Sequence, residues 1–364
     1  MTNPYENLPA EAFWRPAIAD IDPLQISNIW KPKFRLNKKH NIATSGSCFA
    51  QHISKALIAR GYNWLDGEPA PRGLSAESRT AFNYGIFSFR TGNIYTAALL
   101  KQWLRWALAG EPVPDEVWIK DGRFYDPFRP AIEPNGFISI EELQASRKDT
   151  LTAIAQVVSE SRLFIFTLGL TEAWTNKQHA YVYPMCPGTV AGEFDASKHA
   201  FINYSYRQIQ LDLRDSFNLI RRANPRCRFL LTVSPVPLTA TASNQHVLVA
   251  TTYSKSTLRA VAGDMANTRP DVDYFPSYEI ITGFPFRAMF FKENLRSIST
   301  EGVDFVMNLF FSGLNDSGLN DKGPANSNSI PSNSTDDFAS MPGENEVVCE
   351  EELLAAFGSK KVDL

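Results

Sequence analysis

Cysteine is scarce in these 364 residues: Cys48, Cys186, Cys227 and Cys349 lie scattered, and no two of them form a C-x-x-C pair. That spacing argues against a disulfide framework and a structural zinc site. Histidine is almost as rare, with five residues. There is no Lys/Arg run and the net charge is -3, so the chain lacks the electrostatic footprint of a nucleic-acid binder. Apolar runs are short, and none approaches the roughly 18 residues of a membrane span. The opening "MTNPYENLPAEAFWRP" has no basic region followed by an apolar stretch, so it does not read as a secretory signal. No metal-ligand cluster or phosphate-cradling glycine loop occurs, so no metal or organic cofactor is expected. Together these absences predict a cytoplasmic protein with reduced thiols, no nucleic-acid partner and no membrane.

What the chain does have is 44% apolar residues, enough to bury a large core. Four short apolar runs read as buried strands: 41–45, 162–169, 228–235 and 272–277. Helical patterns fall between them at 48–60, 94–108, 140–160, 203–223 and 252–267. Strands alternating with helices predict an α/β fold whose parallel sheet is flanked by helices. Residues 1–33 are rich in Pro, Trp and Asn and read as an arm on the surface of a domain spanning 34–311. Within that domain, 110–138 and 175–202 read as ordered insertions that shape a pocket. Composition shifts at Ser312, so 312–346 is expected to be a flexible linker. A short amphipathic C-terminal helix follows within 347–364, its Glu-rich start suited to the helix dipole. Such a helix can dock back on the domain or bind a protein partner.

"NIATSGSCFAQHISKALIARG" joins the first strand to the first helix. In open α/β sheets ligands sit at the carboxyl ends of strands, and Ser47 lies at such an end. Gly46 permits a tight turn, and the N–H groups of the following helix point back at it. A serine hydroxyl there is placed for acyl transfer; equally, Ser45 or Ser47 can simply cap the helix. Phe49 stands where a G-x-S-x-G elbow would have its second glycine.

"GSCFA" at 46–50 resembles the signature of the GSCFA family, grouped with SGNH/GDSL-like hydrolases. "FNYGIFSFRTGNIYTAALLKQWL" (82–104), "TLGLTEAW" (167–174), "TVSPVPLTAT" (232–241), "HVLVATTYSKSTLRAVA" (246–262) and "YFPSYEI" (274–280) resemble its blocks too. The resemblance implies a flavodoxin-like, SGNH-type three-layer fold with Ser47 as nucleophile. It also implies an oxyanion site built from Gly92 and from Thr171, which stands where the family superfold has an Asn, with Glu172 in the place of its Asp. A Thr hydroxyl can donate one hydrogen bond to an oxyanion. The D-x-x-H that supplies the superfold's base is absent: the corresponding stretch reads "NLRS" at 294–297.

A substitute base is therefore needed. His40 precedes the first strand, and His52 lies one turn into the first helix. His179 and His199 sit in the insertion after "GLTE", and His246 follows the third strand inside a matching block, which makes it the preferred base. Cys48 is an alternative nucleophile or a substrate contact. Glu279 can orient a base, bind a polar substrate, or pair with Arg287 or Arg296. Arg296 suits an anionic group. Lys255 can activate Ser254 or Ser47, or it can be a solvated lysine on a helix face. The aromatic cluster Trp103, Trp106, Trp118, Phe124 and Tyr125 reads as packing. Two functions follow. One is an SGNH-like ester hydrolase or O-acyltransferase acting on an acylated glycan or a small ester. The other is a non-catalytic glycan- or anion-binding or scaffold protein on the same frame.

Overall fold

Leu163 and Ile165 pack into one core, while Phe164, Phe166 and Leu168 pack into another, so this six-residue strand is buried on both faces. Side chains alternate across a strand, and a strand covered on both sides reads as an unbroken apolar run. The computed structural model describes residues 3–316 and 349–359. The first half contains β1 (Ile42–Gly46), α1 (Ala50–Ala59), α2 (Ala76–Ala81), α3 (Ala97–Ala109), β2 (Trp118–Lys120), β3 (Arg123–Tyr125) and α4 (Ile140–Glu160). There follow β4 (Leu163–Leu168), β5 (Glu172–Asn176), β6 (Val182–Tyr183), β7 (His199–Asn203) and α5 (Tyr206–Ala223). The rest holds β8 (Arg228–Val233), α6 (Val247–Thr268), β9 (Val272–Tyr274), α7 (Ser277–Thr282), α8 (Thr300–Asp316), a 3-10 turn (Glu350–Leu354) and α9 (Ala355–Ser359).

The strands β1, β4, β8 and β9 form a parallel sheet in that order. Trp64 makes a further parallel bridge to Ile42, on the side of β1 away from β4. The order in space is therefore 2-1-3-4-5, the flavodoxin-like arrangement, with its second strand reduced to a single bridge. One face of the sheet packs on α3, α4, α5 and α6 through Trp103, Ile154, Phe217 and Leu258. The other packs on α1, α7 and α8 through Ile53, Ile280 and Phe310. The result is a three-layer α/β fold, as the alternation of strands and helices predicts.

Three boundaries differ from the sequence reading. The N-terminal arm does not stay on the surface: Ile26 and Trp30 are buried, and the Trp30 ring stacks on Phe310 at 5.3 Å between centroids. Burying that much apolar area outweighs the irregular backbone around it. The helix α8 runs to Asp316, past the composition shift at Ser312; the remainder of the expected linker, 317–346, lies outside the described residues. The insertions hold strands of their own. β2 and β3 form a hairpin within 110–138, and β5 pairs antiparallel with both β6 and β7. A buried carboxylate pins the first insertion to α4: Asp126 accepts from Arg129 at 2.9 Å and from Arg147 at 2.8 Å. No helix among the described residues is long and apolar enough to cross a membrane.

Candidate active site

The chain leaves β1 through a position that only glycine fits. Gly46 has φ +135°, and a Cβ there would lie 2.4 Å from the carbonyl oxygen of Thr167 on β4. This close approach lets Ser47 continue the sheet pairing, its N–H donating to Thr167 O at 3.0 Å. The Ser47 N–H is thereby used in the ladder and is not an oxyanion donor. The helix then starts from its carbonyl, which accepts from Ala50 N at 2.9 Å. Neither Ser45 nor Ser47 caps that helix: both hydroxyls are buried and have no hydrogen-bond partner among the described residues. An unsatisfied buried hydroxyl is uncommon enough to need a reason. Ser47 stands beside the switch point between β1 and β4, where the loops leaving two adjacent strands diverge and leave a crevice.

Gly169, just past the end of β4, forms the wall opposite. A Cβ on it would stand 3.0 Å from Ser47 Cβ and 3.0 Å from Tyr95 O. Tyr95 O in turn accepts the N–H groups of Gly169 and Leu170. Lys255 comes in from α6 and donates from Nζ to Gly169 O at 2.5 Å. It is only 2% exposed, and burial lowers its pKa to about 8, against the opposing pull of Glu351. Ser47 and Lys255 thus flank the same glycine. Their side chains make no hydrogen bond to each other among the described residues. A buried amine of lowered pKa on the same glycine as an unpaired hydroxyl is nonetheless an arrangement from which a general base can act.

The C-terminal segment is packed against this crevice. Glu350 is buried, and its Oε1 lies 2.8 Å from where a Cβ of Gly92 would be. Burial raises its carboxyl to about 8 against the opposing pull of the neighbouring Asn93, and neither carboxyl oxygen has a hydrogen-bond partner among the described residues. Glu351 N donates to the Tyr95 hydroxyl at 3.4 Å. The Glu351 carboxyl is also raised by burial, to about 7. Arg296 reaches Glu352 at 3.2 Å, Glu351 at 3.5 Å and the Cys349 sulfur at 3.6 Å. Cys48, Cys349 and Arg296 line one cleft; the neighbouring Cys48 thiol and Arg296 draw Cys349 down to about 6, while the Cys349 thiol and burial push Cys48 up. An apolar cleft of about 480 Å³ adjoins Tyr95 and Leu170 and is lined by Trp174, Met185 and Phe194, with Leu354 and Phe357 of the tail in its wall.

The residues singled out in the sequence divide sharply. Ser47, Cys48, Gly92 and Arg296 come together around residues 349–352, and Glu172 borders the apolar cleft, accepting from Thr241 at 2.7 Å. His246 does not join them. It is exposed and caps α6, its Nδ1 accepting from Leu248 N at 3.2 Å. Thr171 cannot lend its hydroxyl to an oxyanion, because Oγ1 donates to Asn203 at 2.6 Å while its N–H donates to Ser254. Glu279 pairs with Arg259 and accepts from the Tyr274 hydroxyl, not with Arg287 or Arg296. His179 stacks on Tyr181 in a separate polar cleft beside Glu116. His199 accepts from Asp195 N, and His52 is half-buried against Phe49, its pKa lowered to about 4 by desolvation. No histidine hydrogen-bonds to Ser47 among the described residues.

The sequence leaves Lys255 open between activating Ser254 or Ser47 and lying solvated on a helix face, and the packing of α6 on Gly169 buries it. Sequence reasoning passed over Asn93. Asn93 follows Gly92 directly, and an amide beside a motif glycine was the available signal.

Comparison with solved structures gives distant likenesses. The chain is similar to a carbohydrate esterase family 3 protein from Talaromyces cellulolyticus at 10% identity, covering 76% of this chain and 99% of that one with TM-score 0.34. A GDSL-like lipase from Parabacteroides merdae is similar at 11% identity, covering 79% and 100%, with TM-score 0.32. None of the curated proteins matches. The model of the GSCFA family matches residues 41–310, which include the Gly46–Ser47 turn, the Gly92–Asn93 pair, Gly169 and Lys255. The chain belongs to the GSCFA family.

Proposed function

We propose that this protein is a serine-dependent ester hydrolase or O-acyltransferase of the SGNH type, with Ser47 as nucleophile and Lys255 as its base. The observation that carries the reading is the unpaired, buried Ser47 hydroxyl flanking the glycine whose carbonyl holds Lys255. A Ser hydroxyl is a weak nucleophile until a base takes its proton, and an amine with a pKa of about 8 is already partly neutral near physiological pH. In the reaction, Ser47 Oγ attacks the ester carbonyl carbon and its proton passes to Lys255 Nζ. Charge developing on the carbonyl oxygen is met by the Asn93 amide and the N–H groups at Gly92–Asn93, the groups nearest the Glu350 carboxyl. Lys255 returns the proton to the departing alcohol. Water or a second alcohol then attacks the acyl-serine, giving hydrolysis or transfer.

The apolar cleft supports an ester with an apolar or ring-faced portion, such as a small ester or an acylated glycan lying on Trp174. A second reading, an anion-binding protein without catalysis, is favoured by one observation: Arg296 already holds the carboxyl groups of Glu351 and Glu352. Labelling with a fluorophosphonate probe separates the two. Ser47-dependent labelling, lost in Ser47→Ala, supports the enzyme. No labelling, either of the native chain or of a Leu354→Asp chain whose cleft wall is loosened, overturns it.

A further inference from the structure

Glu350 presents two oxygens on one carbon to Gly92 and Asn93, the atoms an ester acyl group would present there. Full burial of a carboxyl is costly without a partner, and neither oxygen of Glu350 has a hydrogen-bond partner among the described residues. The rest of the segment is held shallowly. Leu354 is half-buried, and Phe357 stays 56% exposed where it lines the cleft. Such a segment fits the low-stability end of a fold, where local opening is easy. Two features nonetheless fix its position: the Arg296 clamp on Glu351 and Glu352, and the placing of Cys349 in the lining of one cleft with Cys48, the residue that directly follows Ser47.

We infer that residues 349–357 are a removable plug that fills the Ser47 pocket from within the chain, and that a Cys48–Cys349 disulfide locks it there. Its effect on activity rests on the reading of Ser47 as nucleophile; its occupancy of the pocket does not. The oxidant is a small-molecule disulfide of the glutathione type. With the plug out, the Cys349 thiolate attacks that disulfide, forming a mixed disulfide and releasing one small thiolate. On redocking, the Cys48 sulfur attacks Cys349 and expels the second thiolate. Two electrons pass from the two protein thiols to the small disulfide, and both protons end on the released thiols. A reducing thiol reverses the sequence and frees the plug.

The full-length chain and its Glu350→Lys, Leu354→Asp and Cys349→Ser variants test this with three readouts. Cys48 alkylation by iodoacetamide in the reduced state is expected to speed up about tenfold or more in Glu350→Lys and Leu354→Asp, as the protecting segment opens. After incubation with oxidised glutathione, peptide mapping should find a Cys48–Cys349 crosslink in the native chain. Fluorophosphonate labelling of Ser47 should then fall about tenfold and recover with reductant, while Cys349→Ser labels equally before and after. Equal Cys48 alkylation in all chains overturns the plug, and absence of the crosslink overturns the lock. Loss of Ser47 labelling in the loosened variants would also overturn it, by making the segment a part of the active site. If Cys48 is freed but Ser47 labels in no variant, the plug stands and the esterase reading falls.

Discussion

Two buried polar clusters in this molecule obey opposite rules. At Asp126, one carboxylate meets two arginines, and every guanidinium nitrogen finds an acceptor: Arg129 also reaches Thr150 at 2.7 Å and Ser146 at 3.0 Å. Burial works against the charge of Asp126, but Arg147 and Arg129 outweigh it and hold the carboxyl below its usual range. Around Ser47 the balance falls the other way. Lys255 is drawn down, Glu350 and Glu351 are pushed up, and the Ser47 hydroxyl is left unpaired. The first cluster fastens an insertion to a helix. The second keeps its groups poised between protonation states, which is where acid–base chemistry is usually found.

The largest expected effect breaks the structural cluster. Arg129→Ala leaves Asp126 half-paired in the interior and should cost about 3–5 kcal/mol of stability, read by chemical denaturation. A loss under about 1 kcal/mol would mean that the cluster is not the fastening described here. A smaller effect separates the two clusters by pH. Asp126 is held below its unfolded value of 3.8, so its contribution is present above that pH and lost as acid protonates it. Glu350 is the reverse. The docked segment binds a proton between 4.5 and about 8, so its docking weakens as pH rises through that window. Cys349, drawn down to about 6, works in the opposite direction above that pH, so the native chain must be compared with Glu350→Gln. The ratio of their Cys48 alkylation rates should climb between pH 5 and 8; a flat ratio would deny Glu350 its place. The smallest effect concerns His246. His246→Ala should lose a helix cap worth about 1 kcal/mol and leave Ser47 labelling unchanged. A fall in labelling would restore it as a base.

How far the sequence could be read followed from the range of the forces involved. Apolar runs at 163–168 and 228–233 and the helix at 140–160 declare themselves through local periodicity, as does the Gly46–Ser47 turn. The short strands at 118–125 and 172–203 do not, because pairing between distant residues forms them from segments rich in turn residues. The site divides in the same way. Ser47 and Gly92 are legible because their roles depend on backbone shape close by. Lys255 becomes special only when α6 settles on Gly169, and Glu350 only when a segment far along the chain returns to Gly92. His246 misled for a related reason: its position after β8 is on the correct side of the sheet, yet the start of α6 turns its ring to Leu248.

The most direct measurement of the central claim is the pH dependence of Ser47 labelling by a fluorophosphonate, in a Leu354→Asp chain and the same chain carrying Lys255→Met. Labelling is expected to rise with pH to a plateau, with the rise below the ordinary lysine range because burial draws Lys255 down. Lys255→Met should cut the rate about a hundredfold or more and abolish the limb. Labelling that persists at full rate in Lys255→Met, with the same pH profile, would contradict the pairing of Ser47 with Lys255.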